Sequence, residues 1–528
     1  MVFLCVCMCL LAAANYVCFG RKLLAVFQQS GYRLREFFSS LISDCKKEIE
    51  RLSTYSLVFL IYSLFFSPIF VINETLYAAV LLSAALSFDI VVFVKNEPVK
   101  EVKLTKRFIR MTVVSVLLAT AVAAATGYLG YLLAGNTLPI CLVVSLTLAI
   151  LCGLTPVLIV AGYLVMYPYD KALYKISVGK CKKELAKRKD LIKIGVTGSY
   201  GKTSVKNILE KMLSAKYKVV ATPLSYNTPL GICRSVKKLT PSAEIFIAEM
   251  GARRVGDIKE LCEIVRPDVG VITGICGQHL ETFKTLENVK KTKNELIEAL
   301  PLDGAAFFNT DGKEAAELFE KCPITKFSAG ISGGDVYAKI IREEKNGTYA
   351  DIVLGGKEYS FVTKLRGRHN VSNICLAAEV AFRLGVPPER IIAEAVRLKP
   401  VPHRLEVKNA GGITIIDDSY NANIEGVKAA AEVLGSFGGK RFVITPGMVE
   451  CGKNGVELNE TVGEILSAVA DVIIAVGNNA RDIANGAAYR REVIKTENLE
   501  EATEKLKPRL KTGDVVLFLN DLPDKYGI

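Results

Sequence analysis

The hydrophobic pattern of the chain changes character near residue 166. Before that point apolar residues come in long runs, covering about 2–19, 55–72, 75–94, 111–134 and 138–166. Each run is close to the roughly 20 residues a helix needs to cross a bilayer, so the pattern predicts a membrane domain over 1–166 with five transmembrane helices. After it, short apolar strands alternate with amphipathic stretches, the strands at 245–248, 269–273, 413–416, 442–445, 472–476 and 515–519. Such alternation predicts two doubly wound α/β domains with largely parallel sheets. Lys399-Pro-Val-Pro402 reads as the hinge, giving domains at 191–400 and 401–528 behind a basic juxtamembrane linker at 167–190.

Within the first α/β domain, the strand beginning at Ile194 runs into Thr197-Gly-Ser-Tyr-Gly-Lys-Thr-Ser204. The helix that follows carries Val205, Ile208, Leu209, Met212 and Leu213 on one face, which predicts a buried stripe. Strand, glycine turn and helix in this order form a phosphate cradle. Backbone N–H groups around Gly198, Ser199, Gly201 and Ser204 converge on an anion, Lys202 supplies a point charge, and the Thr203 hydroxyl suits Mg2+. The strict pattern would place glycine where Val196 stands. The segment predicts binding of ATP or GTP.

Charge placement bears on the membrane reading. Stretches 20–54, 95–110 and 167–193 carry net +3, +4 and +6, which is the whole formal charge of +13. Basic residues so placed flank the apolar runs, as cytoplasmic loops do, and contact anionic lipid heads. With five spans and the N-terminus outside, both basic loops and everything after Met166 face the cytoplasm. The soluble part is neutral, which excludes nucleic acid as the partner. The 14 cysteines include no C-x-x-C pair, so they read as reduced thiols rather than as a zinc site.

In open parallel sheets, ligands sit at the carboxyl ends of strands. Glu249 ends one such strand, His279 follows another by a short loop, and Asp417 and Asp418 end a third. Several such groups beside a phosphate loop point to a metal and nucleotide site. Lys293 falls with Val289, Leu296 and Leu300 on the apolar stripe of a helix over about 287–300. It is either a lysine reaching out from the stripe's edge or a buried amine that loses its proton and takes up CO2, becoming a carbamate oxygen ligand. Spacing leaves both open.

The phosphate loop, Ala248-Glu-Met-Gly251, Arg266-Pro-Asp-Val-Gly-Val-Ile-Thr273, Gln278-His-Leu-Glu281, Lys293-Asn-Glu295, Gly367-Arg-His-Asn370 and Asp417-Asp-Ser-Tyr-Asn-Ala-Asn423 together resemble the Mur ligase family. The resemblance covers about 191–480. It implies a P-loop central domain, a Rossmann-like C-terminal domain and an ADP-forming amide ligase that uses ATP and Mg2+. A substrate carboxylate would take the γ-phosphate, and an amine would then displace phosphate. By position, Lys202 would neutralise the β- and γ-phosphates, and Thr203 with Glu249 would hold one Mg2+. His279 and carbamylated Lys293 would hold a second. Asn370 would contact adenine, Arg404 the γ-phosphate and Asp418 the ribose.

The reaction implied is addition of D-alanyl-D-alanine to a muramoyl tripeptide, with the membrane segment standing where relatives carry a UDP-sugar domain. A lipid-linked muropeptide acceptor, another polymer, and a membrane ATPase are the alternatives. The chain departs from the family at Pro446-Gly-Met-Val-Glu450, at Ile424 and at Asn520-Asp-Leu-Pro-Asp524.

Overall fold

The computed structural model describes residues 13, 16–17, 20–43, 102–134, 140–277, 280–344, 347–419, 423–448, 454–488 and 490–519. Contacts divide the chain into two compact units, one up to Tyr174 and one from Lys175 onward.

The first unit is helical where described. Residues 20–29 are helical, and further helices run over Leu34–Ser43, Lys106–Ala134 and, across the boundary, Ile140–Lys187. Leu23, Leu24, Phe27, Phe37 and Leu41 are buried with Phe108, Met111, Ala119, Ala123, Leu151 and Leu158. The stretch 20–43, expected to be part of a solvated loop, is therefore packed helix, because its apolar residues recur at helical spacing between the basic ones. Asp170 pairs with Arg107 at 3.0 Å and Arg110 at 2.6 Å.

Among the described residues one helix, Lys106–Thr126, is long and apolar enough to cross a membrane. The runs at 55–72 and 75–94 and most of that at 2–19 lie outside the described residues. The run at 138–166 falls largely in the helix Ile140–Lys187, which continues through the expected linker despite Pro156 and Pro168. In place of a linker, Cys181 and Leu185 bury against Ile232, Val236 and Phe246 of the second unit.

The second unit holds two sheets. Strands β1 Ile192–Thr197, β2 Val219–Ala221, β3 Ile245–Glu249, β4 Val269–Ile272, β5 Ala305–Asn309, β6 Thr325–Gly330, β7 Val336–Glu344, β8 Gly347–Leu354 and β9 Lys357–Thr363 form a nine-stranded sheet in the order β2-β3-β1-β4-β5-β6-β7-β8-β9. Pairing is parallel from β2 to β7. It turns antiparallel between β7, β8 and β9. This meander is absent from the parallel alternation expected; its middle strand β8 alternates buried and half-buried residues, as a sheet covered mainly on one face does.

The order places β1 between β3 and β4, so the carboxyl ends of these strands open a crevice at a topological switch point. Two helices cover β1. Helix α1, Lys202–Ser214, buries Val205, Ile208, Leu209, Met212 and Leu213 as the stripe required. Helix α2, Leu286–Glu298, lies on the sheet with Leu296 fully buried. A Cβ on Gly195 would stand 2.7 Å from the Leu296 side chain, so glycine at the centre of β1 is what lets α2 approach.

The second sheet comprises β10 Glu406–Ala410, β11 Ile413–Asp418, β12 Arg441–Thr445, β13 Val472–Val476, β14 Glu492–Thr496 and β15 Val515–Leu519, ordered β10-β11-β15-β12-β13-β14. Only the β10–β11 pair is antiparallel.

Candidate active site

The phosphate loop spans the carboxyl end of β1 and the start of α1. Gly198 has φ +156° and Gly201 φ +76°. A Cβ on Gly198 would stand 2.1 Å from Thr273 Oγ1, so the loop closes against the end of β4 only because that residue is glycine. The Ser199 N–H donates to the Gly274 carbonyl at 2.6 Å, and its hydroxyl donates to the Cys276 carbonyl at 3.1 Å. Ser199 is thus buried in the loop's support, and Thr203 and Ser204 open α1.

Lys202 folds back over the loop, donating to the Gly198 and Ser199 carbonyls at 2.8 and 2.9 Å. Desolvation lowers its pKa to about 8; the Glu249 carboxylate opposes that shift, and the Arg404 guanidinium adds to it by repulsion. Lys202, at the start of α1, and Arg404, just before the second sheet, thus lie close enough to repel one another. Mutual repulsion at such a point is relieved by a polyanion, which is the fit expected for a triphosphate.

Glu249 ends β3 opposite Val196 of β1 and is 1% exposed. Its Oε2 lies 3.2 Å from Lys206 Nζ, and its Oε1 accepts from Asn227 Nδ2 at 3.2 Å. Thr203 and Lys206 are three apart on α1 and so share a face. Among the described residues no three His, Cys, Asp or Glu side chains gather as a metal cluster. Mg2+ in nucleotide sites needs none, since one carboxylate with a hydroxyl, phosphate oxygens and water completes its shell. Thr203 and Glu249 supply hard oxygen donors of that kind.

Lys293 lies within α2 and is 3% exposed. Desolvation, with Lys202 repulsion second, brings its pKa down to about 7. Among the described residues it makes no ion pair, so the reading of a lysine reaching for solvent is set aside. His279, expected as its co-ligand, lies outside the described residues.

The helix Arg368–Arg383 packs beside the loop, where its Asn373 would touch a Cβ placed on Gly201 at 3.0 Å. Asn370, one turn earlier, is buried and donates from Nδ2 to the Arg366 carbonyl at 2.7 Å. Asp418 ends β11 and accepts from the Leu405 N–H at 3.1 Å. Burial raises its pKa to about 6, against the opposing effects of that hydrogen bond and of Arg404. Asp417 instead engages His403 Nδ1 at 2.9 Å and the Ser419 hydroxyl at 2.7 Å.

The structure thus brings Lys202, Thr203, Glu249, Lys293 and Arg404 around one crevice. Lys206 and Asn227 escaped the reading of the sequence. Lys206 had a visible signal, a lysine among Val205, Ile208 and Leu209, the same pattern that singled out Lys293. Asn227 had none, because its place depends on the path of a loop.

Residues 196–381 match the Mur ligase middle domain, and residues 403–520 match the Mur ligase glutamate ligase domain. The crystal structure of MurF ligase from Thermotoga maritima in complex with ADP is 30% identical, over 66% of this chain and 80% of that one, with a TM-score of 0.60. The chain belongs to the Mur ligase family. A second Mur ligase structure, MurF from Acinetobacter baumannii, is 26% identical over 66% of this chain and 77% of that chain, with a TM-score of 0.62. UDP-N-acetylmuramoyl-tripeptide--D-alanyl-D-alanine ligase of Escherichia coli (strain K12) is 29% identical over 299 residues, 56% of this chain and 66% of that protein. The two family matches fall in the two α/β domains, between residues 196 and 520.

Proposed function

We propose that this chain is an ATP-dependent, ADP-forming amide ligase of peptidoglycan precursor synthesis that joins D-alanyl-D-alanine to a muramoyl tripeptide. The observation that carries this reading is the glycine loop at the end of β1, with Lys202 folded over it and the Glu249 carboxylate at the end of the neighbouring strand β3. Transfer of a phosphoryl group to a carboxylate spreads negative charge over many oxygens, so fixed cations matter more than covalent chemistry by the protein. Thr203 and Glu249 would hold Mg2+, which would further neutralise the phosphate oxygens. Lys202 orients the β- and γ-phosphates, Arg404 meets the γ-phosphate from the other lobe, and Asn370 and Asp418 position the nucleoside. Lys293, with its amine largely neutral, takes up CO2 with loss of a proton and presents a carbamate, with His279 as its partner.

The test is release of inorganic phosphate from ATP in the presence of UDP-linked muramoyl tripeptide and a panel of amino acids and dipeptides. Release that depends on D-alanyl-D-alanine supports the assignment. Release with no amine present would favour the membrane ATPase reading, and turnover with a different amine would favour a ligase for another polymer.

A second part of the proposal concerns location. The chain is held at the cell membrane by its first unit, with the catalytic domains cytoplasmic. Support comes from the apolar helix Lys106–Thr126 and from the outward side chains of Leu117, Leu129 and Leu132, each more than half exposed. Attachment raises the local concentration of a membrane-borne substrate, so a lipid-linked muropeptide is a second candidate acceptor. Equal turnover of UDP-linked and lipid-linked tripeptide in vesicles would remove the reason for preferring either.

A further inference from the structure

A buried lysine beside the phosphate loop plays no part in holding phosphate in the reading above. Lys206 is 1% exposed, and its ammonium meets two acceptors, Glu249 Oε2 and the Leu224 carbonyl. Leu224 belongs to the segment 222–228 between β2 and the next helix, and it is not a glycine, yet its φ is +48°. Such a conformation costs about 1–3 kcal/mol and persists where neighbours enforce it. The Leu224 side chain is 77% exposed, and two contacts hold this conformation: the turn hydrogen bond from the Tyr226 N–H to the Pro223 carbonyl at 3.1 Å, and the hydrogen bond from Lys206 to the Leu224 carbonyl.

The same segment grips Glu249 from its other side. Asn227 Nδ2 donates to Glu249 Oε1 at 3.2 Å, and the Glu249 N–H donates to Thr222 Oγ1 at 3.1 Å. Gly251, two residues on, donates its N–H to the Asn227 carbonyl at 3.0 Å. A Cβ on Gly251 would stand 2.7 Å from Asn227 Cγ, so glycine there makes room for this side chain.

We infer that Lys206 is a positioning residue that couples occupancy of the metal site at Glu249 to the conformation of loop 222–228. The inference rests on the reading of Glu249 as a Mg2+ ligand. Its logic lies in where the carboxylate's partners lead. One oxygen is held by Asn227, in the loop. The other is held by Lys206, which also holds the loop through Leu224. A divalent cation that takes either oxygen weakens a bond running to the same segment. Even where both hydrogen bonds survive on second lone pairs, the added charge repels the ammonium. Filling the metal site therefore reaches the loop by two routes, both through Glu249.

Hydrogen exchange on the full chain tests the coupling, with a non-hydrolysable ATP analogue in excess Mg2+ or in chelator. In the wild type, Mg2+ is expected to change exchange of amides 222–228 about tenfold. In Lys206→Met, which leaves only the Asn227 route, the loop should exchange about tenfold faster without metal and respond to it less than the wild type, while amides 198–204 remain protected by nucleotide. Asn227→Ala, which keeps both charges, should show a reduced response and decides the matter if Lys206→Met does not fold. A wild-type-like loop response in these variants would overturn the coupling. The Mg2+ dependence of ADP formation by Glu249→Gln separates the two layers: an unchanged half-saturation would overturn the ligand reading, and the coupling with it. A shifted half-saturation beside a diminished loop response in Lys206→Met supports both.

Discussion

Lys293 is buried and Lys202 half-buried, and the proposed reaction asks opposite things of them. Lys202 must stay charged to neutralise phosphate, and the triphosphate itself secures this by adding negative charge beside it. Lys202→Ala is expected to lower ADP formation by about 10²- to 10³-fold, as loss of a fixed transition-state donor does. Lys293 must lose its proton. Its pKa of about 7 lies far below the usual value of about 10.4, so between these values the unfolded chain holds a proton that the folded chain has released. Stability contributed by this site therefore rises with pH from about 7 to about 10.4, and the penalty of burying the cation is complete below 7. Lys293→Met removes that penalty. Its gain in Tm over wild type should be greatest near pH 6 and fade toward pH 10, and a gain independent of pH would mean that the amine is not desolvated. The same substitution should abolish activity, and a carbamate resonance under 13CO2, present in wild type and missing in the variant, would assign the modified residue.

At the scale of elements, the seating of α2 on β1 sets where Lys293 stands. Gly195 admits the helix and Leu296 fills the contact, with no exposure at all. Leu296→Ala should destabilise the protein by about 2–5 kcal/mol, the range for a buried leucine that leaves a cavity. Denaturant midpoints would measure it, and a cost under 1 kcal/mol would mean the helix is held elsewhere. Residue patterns made much of this level legible. Strands with continuous apolar runs, such as Val472–Val476 and Val515–Leu519, stand where the pattern put them, because burial on both faces leaves few other readings. The meander β7–β9 was missed, since many of its positions face outward and carry charges such as Lys339, Arg342 and Glu344. Helicity at 20–29 and 34–43 was missed because the basic residues were read as loop, although Phe27 and Phe37 beside them are fully buried.

At the scale of the molecule, the proposed reaction calls on Arg404, which follows the first sheet in sequence and repels Lys202. Arg404→Ala is expected to leave nucleotide binding largely intact while lowering turnover about 10²-fold, a split that calorimetry beside steady-state kinetics would reveal. Equal loss of binding and turnover would assign Arg404 to ground-state binding instead. The first unit makes its own prediction. If the apolar face of Lys106–Thr126 meets lipid, the full chain should stay with membranes through an alkaline carbonate wash, and release by that wash would leave only peripheral attachment.

The order of strands and helices, the glycine turn with Lys202 and Thr203, and the set of polar groups at strand ends were fixed by local pattern. Each depends on neighbours within a few residues, which is the range over which periodicity and turn chemistry act. What only the tertiary structure decided is which of those groups meet: Glu249 with Lys206 and Asn227, Lys202 with Arg404, and Gly195 with Leu296. These pairs lie tens to hundreds of residues apart in sequence. Their meeting follows from strand order, crossover path and close approach of backbones, none of which a linear pattern records.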